Sequence, residues 1–129
     1  MPKTICVDFD GVIHHYRNGW AGCASIIDDT PTPGAFAWLD QLLDDGFDVC
    51  IYSSRSKFPG SVSSPDNKVT PSGVEAMVSW FVAHGYSPEK LRFPTEKPAA
   101  MMTVDDRAFC FQGTFPAVEW LNNFKPWNK

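Results

Sequence analysis

Two aspartates two positions apart, Asp8 and Asp10, close an apolar run in the stretch CVDFDGVIHH. In an extended segment the side chains at i and i+2 share a face, so these carboxylates stand together and repel. Such crowding costs free energy unless a cation or a reaction uses it. Three more polar sets follow other apolar runs: Ser53 and Ser54 end VCIYSS, Lys97 stands in TEKPAA, and Asp105 and Asp106 end MMTVDD. Clustered carboxylates suit a hard divalent cation, and Mg2+ takes one or two of them while keeping waters and substrate phosphate. A lysine and a hydroxyl supply donors for phosphate oxygens. Gly11 lets the backbone turn sharply beside a ligand. One carboxylate can attack phosphorus, forming an aspartyl-phosphate. A second can protonate the leaving oxygen and later activate water.

These residues converge only if the surrounding elements place them together. KTICVDF reads as a first strand buried on both faces, and FDVCIYSS as a second. PGAFAWLDQLLDDG reads as a helix with Pro33 in its first turn, apolar residues at Phe36, Leu39 and Leu43, and Gly46 at its end. VEAMVSWFVAHG reads as a second helix closed by Gly85, KLRF as a short strand, AMMTVDD as a further strand and AVEWLNNF as a final helix. Residues 14–32 form an irregular excursion. Residues 56–72 form a polar loop rich in Pro, Gly and Ser, of a length usually functional or mobile. Strands alternating with helices imply a parallel sheet with right-handed crossovers. Ligands bind beyond the carboxyl ends of such strands, where the three strand-end polar pairs would share one rim.

The chain of 129 residues suits a single α/β domain, and its 43% apolar content suits a globular fold. A net charge of −4 offers no footprint for extended duplex nucleic acid. No apolar stretch approaches the ~20 residues that span a bilayer. The acidic, interrupted N-terminal stretch does not read as a signal peptide, so a cytoplasmic location is expected. The four cysteines show no zinc-like spacing; three fall in strand-like stretches and read as small buried filler.

Taken in order, DFDGV, the strand-ending serine of VCIYSS, KP and VDD resemble the four motifs of the haloacid dehalogenase superfamily. Each motif is weak alone; their order and their strand-end positions carry the resemblance. The VDDRA form close after KPAA is similar to compact members such as polynucleotide-kinase-type phosphatase domains. The resemblance implies a Rossmann-like three-layer α/β/α sandwich around a mostly parallel sheet. It also implies a Mg2+-dependent phosphomonoesterase. On this match Asp8 is nucleophile and metal ligand, and Asp10 is general acid and base with its backbone carbonyl on the metal. Ser53 and Lys97 hold the phosphoryl group. Beyond the match, Ser54 and Arg55 are candidate substrate contacts by residue type and position. Asp106 is the preferred third metal anchor, and Asp105 lies behind it or reaches the metal through water. Neither gap between motifs has room for a large cap domain, so the site is expected to be open. Nucleotides, nucleic-acid ends and phosphoproteins then become candidate substrates alongside small molecules.

Other residues have plainer readings. His14 and His15 lack cysteine partners and read as wall or solvated flap above the site. Arg55 and Arg107 suit either substrate phosphates or exposed ion pairs. Trp20 suits the pocket mouth, whereas Trp38, Trp80 and Trp120 lie on apolar helix faces and are expected in the core. The competing functional classes are a receiver-like phosphoacceptor, a non-catalytic phosphate-binding domain and a metal-dependent nuclease. The acid two residues beyond Asp8 favours turnover over a persistent adduct.

Overall fold

A computed structural model describes residues 2–129. Strand β1 (Thr4–Val7) is central to a three-stranded sheet, flanked by β2 (Asp48–Ile51) and β5 (Met102–Val104), both parallel to it. Parallel neighbours on both edges explain why three of its four residues, Ile5, Cys6 and Val7, are all buried. Ile5 and Val7 pair in register with Val49 and Ile51, so these four side chains share one face. They join the same buried cluster as Leu39 of α1 (Ala35–Asp44) and Met77 and Phe81 of α2 (Gly73–Ala83). Phe36 links the helices, with its ring 5.8 Å from Phe81 and 6.0 Å from Trp80.

Local chemistry fixes the element ends. Helix α2 begins with a capping box in which Ser72 Oγ accepts from Glu75 N–H and Glu75 Oε1 accepts from Ser72 N–H. Helix α1 starts after Gly34, so Pro33 lies ahead of the first turn rather than inside it. KLRF contributes a single bridge, Arg92 to Cys50, instead of a strand. The polar loop is more ordered than its composition implies: a 3-10 turn (Ser54–Lys57) is followed by an antiparallel hairpin, β3 (Ser61–Ser63) with β4 (Lys68–Thr70). Asn67 turns this hairpin with φ of 52°.

The last third departs most from expectation. Helix α3 (Val118–Asn122) is short and has no buried residue, and Trp120 is half exposed instead of packed in the core. Trp80 is buried as expected, and Trp38 is half-buried against the core. Cys6 and Cys50 are buried filler on β1 and β2, but Cys110 is exposed and outside any strand. No helix among the described residues is long and apolar enough to cross a membrane.

Candidate active site

Asp8 follows directly on β1, Ser53 lies two residues beyond β2, and Asp105 directly follows β5. Parallel registry therefore brings all three strand ends to one rim, as the sequence spacing requires. Ligand atoms of Asp8, Asp105 and Asp106 lie within 4.8 Å of one another. Burial drives the Asp8 carboxyl up to about 8, aided by the adjoining Asp105 and Asp106; a hydrogen bond from Phe9 N–H, 2.9 Å, opposes the shift only in part.

Asp106 is the most unusual member. Its side chain is only 1% exposed, yet neither carboxylate oxygen accepts from an N–H or hydroxyl donor, and only a protonated Asp8 carboxyl shares a hydrogen with it. Arg107 Nε stands 3.5 Å away, as an ion-pair contact only. Buried carboxylates without donors are costly. Gly11, with φ of 84°, turns the chain against this carboxylate, and a Cβ there would collide with it. The all-oxygen set and the two buried Asp106 oxygens, which Gly11 lets approach the chain, fit a hard divalent cation. Asp105 is exposed and its Oδ1 already accepts from Arg107 N–H at 2.8 Å.

Two cavities meet over Asp8, Ser53 and Ser54. One, of about 210 Å³, adds Asp10, Tyr16, Asp106 and Arg107 to its lining. The other, of about 190 Å³, adds Lys97, Tyr52, Thr103 and Asp105. Lys97 is thus brought to the Asp8 cleft although its surroundings are irregular. Ser53 is buried at the start of the 3-10 turn, where Oγ accepts from Arg55 N–H at 3.2 Å. The hydroxyl hydrogen is left to donate into the cleft.

Asp10 points elsewhere. Its carboxylate is outside the three-acid group and meets His14 and Arg55 instead. His14 is fully buried, not a solvated flap, and Arg55 is 1% exposed, which rules out an exposed ion pair. Trp20 shields Arg55 from solvent, with the guanidinium carbon 5.0 Å from its ring centre. His15 stacks on Trp127, whose indole N–H donates to the Gly11 carbonyl at 2.7 Å. Residues 127–129 thereby tie down the turn after the two aspartates, a contact with no signal in the local sequence. Tyr16, which also lines the cavity, adopts a left-handed φ of 61°. Comparison with family models, curated proteins and solved structures found no match for this chain.

Proposed function

We propose that the chain is a Mg2+-dependent phosphomonoester hydrolase of haloacid dehalogenase type, acting through an aspartyl-phosphate on Asp8. The observation that carries this reading is the buried Asp106 carboxylate, without an N–H or hydroxyl donor, beside Asp8 at a cleft that also holds Ser53 and Lys97. Asp8, Asp106 and the Asp10 backbone carbonyl would hold the cation, with Asp105 beside them. Bound there, Mg2+ would offset carboxylate repulsion and phosphate charge.

The remaining chemistry belongs to the side chains. Lys97 and the Ser53 hydroxyl hold the phosphoryl oxygens. Asp8 attacks phosphorus as the ester P–O bond breaks, and Asp10 gives a proton to the departing oxygen. Asp10 then takes a proton from water as that water attacks phosphorus, which frees Asp8 and releases phosphate. The open cleft suits a phosphorylated small molecule, a nucleotide or a nucleic-acid end. The three-layer sandwich of the superfamily and a cytoplasmic location form part of the same reading.

The test is steady-state hydrolysis of p-nitrophenyl phosphate with Mg2+ and with a chelator. Multiple turnovers that stop on chelation support the proposal; no release of nitrophenol under any divalent cation would sink it.

A further inference from the structure

Asp10 is held by two buried side chains from distant parts of the chain. Arg55 Nε lies 2.9 Å from Oδ2 and 3.1 Å from Oδ1. His14 Nδ1 lies 2.8 Å from Oδ1. The other imidazole nitrogen settles the tautomer: Asp29 N–H, which can only donate, lies 3.0 Å from His14 Nε2. Nε2 therefore accepts, and the ring hydrogen sits on Nδ1, directed at Asp10.

Both holding groups are themselves fixed. Arg55 NH1 donates to the carbonyls of Ala24 and Ile26, each at 3.0 Å. A Cβ on Gly73, the first residue of α2, would collide with the Arg55 carbonyl, so helix and turn are in direct backbone contact. Asp29 is anchored to α2 through its carbonyl, which accepts from Trp80 Nε1 at 2.9 Å. The Phe9 ring stacks on His14 at 5.4 Å.

We propose that His14 and Arg55 are positioning residues, a buried clamp that fixes the Asp10 carboxyl group, in its protonated form, for proton transfer to the leaving oxygen. This deepens the phosphatase reading and rests on it. With Arg55 Nε spanning both oxygens and His14 Nδ1 on Oδ1, the carboxyl group is kept from swinging toward the cation site. Asp10 so held lines the cavity over Asp8 and Ser53. Arg55 then acts through Asp10 rather than on substrate phosphate.

Leaving groups provide the test, because nitrophenolate departs without a proton whereas an alkoxide needs one. Asparagine can place its amide N–H where His14 Nδ1–H lies, while glutamine matches Nε2 and leaves Asp10 without this donor. We expect His14→Gln to lower kcat on an alkyl phosphate about tenfold more than on p-nitrophenyl phosphate, one part of a full acid–base contribution. His14→Asn should largely restore the alkyl-to-aryl ratio. Arg55→Ala should show the same selective loss, with recovery in added guanidinium. Equal losses on both esters, or His14→Gln outperforming His14→Asn, would overturn the clamp.

A readout free of turnover separates this claim from the phosphatase reading. Nitrogen NMR of the wild-type chain should show His14 as the Nδ1–H tautomer, and Asp10→Asn should shift that resonance. An Nε2–H tautomer would overturn the clamp even in an active phosphatase. The expected tautomer in a chain inert toward all esters would instead sink the phosphatase reading and the catalytic role of the clamp, leaving only its geometry.

Discussion

Asp8 and Asp10 leave the same strand end, yet they occupy opposite electrostatic surroundings. Asp8 faces Asp105 and Asp106 and is driven up to about 8, whereas Asp10 meets the buried Arg55 guanidinium and the His14 N–H. Identical side chains two positions apart are therefore equipped for different work. The acid-crowded side needs a cation to be at ease, and its nucleophile becomes available once one is there. The basic side holds its carboxyl group in one orientation. Residue type does not create the difference; partners drawn from residues 14, 55, 105 and 106 do.

Removing the charge of Asp8 should have the largest effect. Asp8→Asn keeps the shape but not the nucleophile, and ester turnover should fall by ~10³-fold or more. Near-normal turnover would erase the distinction between the two aspartates. Asp10→Asn should cost about 10²-fold, the lower end of acid–base contributions, while Mg2+ still raises the melting temperature through Asp8. Loss of that response in Asp10→Asn would put its side chain on the metal.

The acid-crowded side can be divided further. Saturating Mg2+ at a hundred times Kd should stabilise the wild type by ~2.7 kcal/mol. Asp106→Ala should weaken the response more than Asp105→Ala, because Asp106 is buried without an N–H or hydroxyl donor and Asp105 already binds Arg107 N–H. Equal or reversed effects in a metal titration followed by melting would contradict this order.

The pH dependence is a subtler contrast. An aspartate in the unfolded chain loses its proton near 3.8, whereas native Asp8 keeps it up to about 8. Between those values the native state binds more protons, so metal-free stability should fall as pH rises through the window. Asp8→Asn should flatten that fall, and Mg2+ should bind more tightly up to about pH 8 as the competing proton leaves. Urea midpoints with and without chelator at stepped pH measure both. A wild-type midpoint that is flat or rising across the window would contradict the crowding around Asp8.

Strand periodicity made half of this site legible in the sequence. Asp8, Ser53 and Asp105 lie at or just beyond strand ends because apolar runs announce their own strands, and parallel pairing brings those ends together. The His14–Asp10–Arg55 contact was hidden, because it depends on how residues 14–32 fold back toward the 3-10 turn. The hairpin at residues 61–70 had a readable cue in Asp66 and Asn67, masked by surrounding serines and prolines. Trp120 misled because an apolar helical face reports what a helix could bury, and α3 buries none of it. Residues 56–72 were also too coarse a unit, since Ser56 is buried and its Oγ accepts from Ser53 N–H at 3.0 Å, closing the 3-10 turn.

The most direct test of the central claim is borohydride trapping during wild-type turnover of an alkyl phosphate with Mg2+. If Asp8 carries the phosphoryl group, reduction converts residue 8 to homoserine, and sequencing finds the change there and not at Asp10, Asp105 or Asp106. The same preparation, untrapped, releases phosphate in large molar excess over protein. Turnover with no modification at residue 8 would contradict covalent catalysis by Asp8. A modified residue 8 with no turnover would mark a phosphoacceptor module in place of a hydrolase.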